Sequence, residues 1–351
     1  MPAVDFMQMA LEESPLNQVT WDDATTPSRV STDKLYLPSR AARLSPAPGY
    51  LSRADELRGI AGSVPDLIDI YTPAGSLSER AYWKDLTWLL SLAGFVGVRT
   101  AGDGIITDPD AVVIPSGGPQ RWVFSKKTGI TAQTAQIIIN YANELARFQG
   151  NGYGVSSLGL NAAGELTAEL LGCYLQRLAV DTTTVPTLVA SAIPPLRRGD
   201  LTLTWLTGGG TPADFSFAIE NPLEGAPGWL LDPASFFPSS LEFAGDQQVR
   251  VTGSVPKRVL DADDFDALLN ASTFSAKARW KSTKSIAATS YKYSLWVEMP
   301  ACQYVGGDAD EITNRRRRGA SFDWYAAWDE SAGYDVRFTL VNDTTAIATY
   351  A

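Results

Sequence analysis

The sequence predicts a mainly β protein, built as two tandem β-sandwich or barrel domains, each with a flanking α-helix. Three observations carry that expectation. Short strand-like runs, bounded by Gly, Pro, Asn and Asp, recur along the whole chain. Each half holds one stretch with helical spacing. The same order of parts occurs twice.

The 351 residues exceed one ordinary domain of about 100–200 residues, and 45% hydrophobic content suits a buried core. Residues 1–180 read as the first domain, with an N-terminal arm that is polar over residues 1–30 and weakly periodic. A strand is expected at Lys34–Leu37. Residues 38–66, dense in Pro, Gly, Ser and Arg, read as a long loop. LIDIYT, Leu67–Thr72, is the next strand. Ser76 and Glu79 have capping-box spacing and open the expected helix. Tyr82, Leu86, Leu89, Leu90 and Ala93 give it one apolar stripe, and Gly94 closes it.

A Gly/Asp/Pro-rich connection follows over 95–120, with an apolar break at Ala111–Ile114. Strands are expected at Arg121–Ser125, Thr134–Tyr141, Tyr153–Leu160 and Glu165–Tyr174, with Asn161–Gly164 as a hairpin turn. Residues 181–198, rich in Thr and Pro, read as a linker.

The second domain, 199–351, starts with strands at Leu201–Leu206 and Asp214–Glu220, joined by a turn around Gly208–Gly210. A second long loop spans 221–247, and a strand follows at Gln248–Thr252. Asp261 caps a short helix with Phe265, Leu268 and Leu269 on one face. Five strands close the chain: Ala276–Trp280, Tyr291–Glu298, Cys302–Val305, Ser321–Asp329 and Tyr334–Val341.

The two halves align in pattern more than in identity. LIDIYTPAGSLSERAYWKDLTWLLSLAG lies over QVRVTGSVPKRVLDADDFDALLNAS, with Leu86 on Phe265 at an offset of 265 − 86 = 179. IIINYANELARFQGN lies over YKYSLWVEMPACQYVGG, with Phe148 on Val305 or its neighbours, an offset near 305 − 148 = 157. An extra loop of the first copy, near residues 98–120, accounts for the difference.

Composition argues against several function classes. The chain has no histidine, the commonest general base and imidazole metal ligand. Its formal charge of −10 lacks the basic footprint of a duplex binder. Met1–Leu16 carries acids and no base, so no secretory leader is expected, and no run of about 18 apolar residues predicts a membrane-spanning helix. The two cysteines, Cys173 and Cys302, read as small buried hydrophobes.

The acidic motifs DADDFD (Asp261–Asp266) and GGDADE (Gly306–Glu311) suggest calcium or paired-carboxylate chemistry. A helix N-terminus and a solvated turn explain them more simply, and neither has EF-hand spacing. TGGGTPAD, Thr207–Asp214, lacks the Lys-Ser/Thr ending of a phosphate loop and reads as a hairpin turn. The basic run Arg315, Arg316, Arg317 and Arg318 fits a solvated loop, then pairing with a neighbour's carboxylates, then nucleic acid. Trp88, Trp122, Trp296 and Trp324 sit inside strand or helix patterns and are expected in core or interface.

The blocks GSLSERAYWKDLTWLLSLAG, WVFSKKTG and QIIINYANELARFQGNGYGVSSLGLNAAGELTAELLG, continued by VTGSVPKRVLDADDFDALLNAS, WVEMPACQYVGG and FTLVN, resemble the major tail tube proteins of siphophages over roughly residues 30–342. That resemblance implies a structural, non-catalytic virion subunit without cofactor or metal, assembled in the host cytoplasm. Its sheets would join across subunits into a closed ring, and rings would stack into a hollow tube through which DNA passes without specific binding. Two barrels per chain imply a trimeric, pseudo-hexameric ring. The implied partners are further copies of itself and other tail proteins (tape measure, terminator and distal tail proteins), with no membrane insertion.

The two long loops supply the candidate inter-ring or inter-subunit contacts: Arg40, Arg43, Tyr50 and Arg53 in the first, Trp229, Phe236 and Phe237 in the second. The four arginines from 315 to 318 join that set, although they would bind DNA if they faced the lumen. If the second half were an immunoglobulin-like decoration, the ring would need six chains. The competing readings are another ring-forming tail protein and a carbohydrate-binding or glycan-active β-sandwich.

Overall fold

The fold is that of a computed structural model. It describes side chains for residues 75–78, 80–100, 119–126, 135, 137, 159–169, 193–205, 214–220, 248–253, 266–286, 290–306 and 321–344, and gives the backbone of the remaining strand and helix segments.

The chain is mainly antiparallel β. Its first half contains β1 (Phe6–Leu11), β2 (Leu35–Pro38), β3 (Ala42–Ser45), β4 (Pro48–Leu51), β5 (Leu67–Tyr71), β6 (Ala74–Arg80), α1 (Asp85–Leu92), β7 (Phe95–Thr100), β8 (Ile106–Thr107), β9 (Val113–Ile114), β10 (Gln120–Lys126), β11 (Ala135–Tyr141), β12 (Glu144–Asn161) and β13 (Glu165–Leu178). The second half contains β14 (Leu201–Trp205), β15 (Gly208–Gly210), β16 (Asp214–Glu220), β17 (Leu223–Gly225), β18 (Leu241–Phe243), β19 (Gln248–Val255), α2 (Ala262–Leu269), β20 (Phe274–Ser285), β21 (Lys292–Gly306), β22 (Ile312–Thr313), β23 (Arg316–Arg317), β24 (Ala320–Ala327) and β25 (Arg337–Asn342).

Two layers face each other. One, the β25 layer, runs β15-β14-β20-β21-β25-β10-β7. The other, the β16 layer, runs β3-β6-β13-β12-β16-β19-β24-β21. Strand β21 belongs to both: Ser294–Glu298 pairs with β25, and Ala301–Gly306 pairs with β24. Its turn from one layer to the other falls at Pro300, between those two ladders, which is how strands make sandwich corners.

Alternation explains the core. In β16 the pattern is exposed–buried through Phe215, Phe217 and Ile219, and in β14 through Leu201, Leu203 and Trp205. The inward aromatics meet between the layers. The Phe217 ring lies 5.7 Å from that of Phe338 and 6.2 Å from that of Trp280, and the Trp205 ring lies 6.0 Å from that of Trp324. Trp88, Trp122, Trp296 and Trp324 are all buried, as their patterns predicted. One apolar cluster includes residues of both halves.

Sheet pairing stitches the halves at two seams. In the β16 layer Leu158–Asn161 of β12 pairs with β16, and in the β25 layer β10 pairs with β25, Trp122 opposite Leu340. Polar contacts reinforce the second seam. The Asn342 Nδ2 donates to Trp83 O at 3.1 Å and to Thr87 Oγ1 at 2.8 Å, the Trp122 indole donates to Thr344 O at 2.9 Å, and Lys84 pairs with Asp343 at 2.8 Å. Lys126 also pairs with Asp335 across it.

Several sequence expectations change. Ser76 and Glu79 cap no helix: Ala74–Arg80 is a strand, and α1 starts at Asp85. The ladder to β13 takes the backbone groups a cap would serve, and Leu77 alternates inward between exposed Ser76 and Ser78. Helix α1 is not a flanking helix with one covered stripe, because every residue from Asp85 to Leu92 is buried. Gly94 does close it, at φ 88°.

The loops predicted at 38–66 and 221–247 contain paired strands, β3 and β4 in the first and the β17–β18 ribbon in the second. The 95–120 connection contains β7 and the small β8–β9 pair, and the N-terminal arm contains β1. Gly208–Gly210 is a strand on β14 and not the turn itself. The strands expected at Tyr291–Glu298 and Cys302–Val305 are one strand, whereas its supposed counterpart is the hairpin β11–β12.

The far end of the predicted linker is packed. Leu196 is buried, its N–H donates to Ala81 O at 3.0 Å, and Pro194 O accepts the Trp83 indole N–H at 3.1 Å. The expected hairpin turn lies beneath it: Gly164 has φ 77°, and a Cβ there would stand 2.2 Å from Leu196 O.

Candidate functional site

The outward face of the β16 layer is a continuous surface built across seven strands. Its register places Ser78, Thr167, Gly159, Ala218, Arg250, Tyr325 and Gln303 in one row across seven strands. The row crosses the boundary between halves at β12–β16 without interruption. Neighbouring rows carry Ser76, Asn161, Ser216 and Thr252. The face is therefore built from small and polar side chains. Its sequence cause is the same alternation that buries Leu77, Leu166, Phe217, Val251 and Trp324 on the other side.

The face is acidic. It carries the carboxylates of Glu165, Glu169, Asp214, Glu220 and Asp323 against the guanidinium groups of Arg80 and Arg250. Arg250 is committed locally: its Nε donates to Asp323 Oδ1 at 2.9 Å and its Nη2 to Asp323 Oδ2, a bidentate pair. Asn161 holds the nearby turn, its Oδ1 accepting the N–H groups of Ala163 at 2.9 Å and Glu165 at 3.0 Å.

The contact residues expected from sequence are only partly placed. Arg43 lies in β3 opposite Ser76, and Tyr50 lies in β4 opposite Ile68. Arg316 and Arg317 lie in β23 opposite Thr313 and Ile312, in a two-stranded ribbon. Arg40, Arg53, Trp229, Phe236, Phe237, Arg315 and Arg318 lie outside the described residues, as does the acidic stretch Asp308–Glu311. ADDFD, Ala262–Asp266, forms the start of α2, where acids favour a helix N-terminus, and Asp261, the expected cap, lies outside the described residues.

A cleft of 260 Å³ opens at the corner of the sandwich, lined among others by Thr204, Lys277, Glu298, Pro300 and Tyr334. Glu298 accepts a hydrogen bond from the Nη2 of Arg337 at 3.0 Å, and the Arg337 guanidinium lies 4.5 Å from the centre of the Tyr334 ring. Burial, ahead of the neighbouring charges, raises the Tyr334 pKa. The carboxylate and the phenol of the cleft are thus both held by one arginine.

Among the described residues no group of three or more acidic or cysteine side chains is placed to hold a metal ion. Cys302 is free and buried, and burial pushes its thiol up to about 12. No helix of the described residues is long and apolar enough to cross a membrane.

The fold is mainly antiparallel β, with two facing layers and a polar outer face on one of them. No family model and no curated protein matches the sequence. The polar face escaped the sequence reading because strand alternation fixes which residues point outward but not which strands lie side by side.

Proposed function

We propose that this chain is a structural subunit of a bacteriophage tail tube that self-assembles into stacked rings and catalyses no reaction. The observation that carries the reading is the seven-stranded outward face of the β16 layer. A conduit for DNA needs a wall that is smooth, hydrated and of the same sign as its cargo. Small and polar side chains supply the first two properties, and the excess of carboxylates supplies the third. That wall spans both halves, as expected of a tandem, barrel-like subunit of which three build one pseudo-hexameric ring.

The repeated order strand–helix–strand supports the tandem arrangement: β6–α1–β7 in the first half and β19–α2–β20 in the second. The helices start at residues 85 and 262, an offset of 262 − 85 = 177, close to the 179 of the sequence alignment. On this reading the partners are further copies of the chain and the other tail proteins, DNA passes without specific binding, and no membrane is entered. The virion tail is the final location.

Electron microscopy of the purified, concentrated protein tests it. Hollow tubes with threefold end-on symmetry are expected. Sixfold tubes would keep the function and remove the tandem-barrel ring. Single rings without stacking would favour a terminator or distal tail protein. Lone subunits at every concentration would overturn the reading in favour of a carbohydrate-binding sandwich.

A further inference from the structure

The outward face of the β25 layer holds the corner cleft, to which the tube reading gives no role. Thr204 of β14, Lys277 of β20 and Glu298 of β21 stand side by side in one row, Thr204 opposite Lys277 and Lys277 opposite Glu298. They alternate with buried Trp205, Ala276, Ala278 and Val297, so their side chains point away from the core. Arg337 of β25 continues the row opposite Glu298. The cleft over this row measures 260 Å³, and Tyr334, from the connection between β24 and β25, helps to line it. That volume is below the about 300–1,000 Å³ of sites for drug-sized ligands, so it suits a single ring.

The charges of the row do not cancel. Arg337 places both of its bonds on one oxygen of Glu298, its Nε and Nη2 donating to Oε2 at 3.1 and 3.0 Å. That pair is neutral, and among the described residues no hydrogen bond reaches the other oxygen, Oε1. Lys277 is half-buried and faces Glu298 across the ladder, yet it makes no ion pair among the described residues. Its ammonium is therefore the unbalanced charge of the cleft, and an ammonium held in this way selects an anion. Burial raises the Tyr334 pKa, so its phenol stays a hydrogen-bond donor at neutral pH. The Glu298 carboxylate beside the ammonium accepts a hydroxyl and repels a second negative charge.

We infer that the cleft binds a hydroxylated monocarboxylate of one ring, of which a hexuronic acid is the type. Its carboxylate meets the Lys277 ammonium, a ring hydroxyl donates to Glu298 Oε1, and the Tyr334 phenol donates to a ring oxygen. A neutral sugar leaves Lys277 without a partner, and a phosphate dianion meets the Glu298 charge. The site goes beyond the tube reading and does not rest on it. Where the outer face of the β16 layer lines a lumen, the outer face of the β25 layer turns to the surrounding medium, from which a soluble sugar acid arrives.

Calorimetric titration of the full-length protein with glucuronate, glucose and inorganic phosphate tests it. Glucuronate is expected to bind roughly tenfold or more tightly than either of the others. Lys277→Gln is expected to remove the preference over glucose, and Tyr334→Phe to weaken glucuronate by roughly threefold or more. Glu298→Gln deletes the repelling charge and releases Arg337, so phosphate binding is expected to appear. A melting curve for each variant separates lost binding from lost fold. Equal binding of glucuronate and glucose, or none of either, would overturn the inference. Phosphate bound by the unsubstituted protein as tightly as glucuronate would overturn it in favour of an unselective cation. Glucuronate bound unchanged by folded Lys277→Gln and Tyr334→Phe would place the site elsewhere and overturn the cleft. Tubes from a protein that binds no glucuronate would overturn this site alone. Binding by a protein that makes no tubes would support the site and count against the tube.

Discussion

Helices α1 and α2 occupy the same place in the order of elements. Each follows a strand of the β16 layer and leads into a strand of the β25 layer, and each has eight residues. Their surroundings are opposite. Helix α1 is wholly buried, with Trp88 and Leu89 at 0% exposure, whereas α2 has exposed Asp266 and leaves Leu269 78% exposed. Composition follows: DLTWLLSL is apolar on nearly every side, whereas ADDFDALL carries three aspartates and turns Leu269, expected on the apolar face, outward with Asp266. A shared order of elements therefore sets where a helix occurs and leaves open whether it acts as a plug or as a cover.

The sharpest way to break the comparison is to truncate one residue on each helix. Trp88→Ala is expected to cost about 3–5 kcal/mol in urea denaturation, because a buried indole leaves a cavity. Leu269→Ala should stay within about 0.5 kcal/mol. Equal effects would mean that the helices are equally embedded.

Next in size is Gly164→Ala, beside the segment that packs on the α1 side. The positive φ and the contact with Leu196 O both oppose a Cβ, and a loss of roughly 2 kcal/mol or more is expected in the same assay. Asn342→Ala leaves Trp83 O and Thr87 Oγ1 without their donor, at an expected cost of about 1–3 kcal/mol.

The smallest effect belongs to the turn after β24. Hydrogen bonds from the Ser331 hydroxyl and the Ala332 N–H lower the Asp329 pKa. A carboxylate depressed on folding stabilises above its unfolded pKa, and the contribution is lost as pH falls through the folded value. Asp329→Ala should therefore lower the melting temperature slightly at neutral pH and leave it unchanged in strong acid. A deficit that persists in acid would assign the effect to packing.

Much of this was legible in sequence. The alternation in LTLTW and DFSFAIE fixed both the strand type and the buried face, and NAAG fixed its hairpin. Other features were not. Capping-box spacing at Ser76 arose inside a strand whose partners, β3 and β13, are distant in sequence. The acidic outer face depends on β12 lying beside β16, a pairing between halves that no local pattern encodes. The expected contact residues rest on loop composition, and the placed ones, Arg43, Tyr50, Arg316 and Arg317, lie in strands.

The seam between β10 and β25 also sets an order of events in the cell. Trp122 has its partner at Leu340, so β10 leaves the ribosome long before the strand that covers its edge has been made. Through that interval the α1 side lacks Asn342, Asp343 and Thr344, which hold Trp83, Lys84 and Trp122. Nascent chains that end before residue 337 should be cut readily by protease around β7 and β10, and protection should appear as β25 emerges. Synthesis thereby acts as a timer: the β7 edge becomes a finished surface only when the chain has been made through β25.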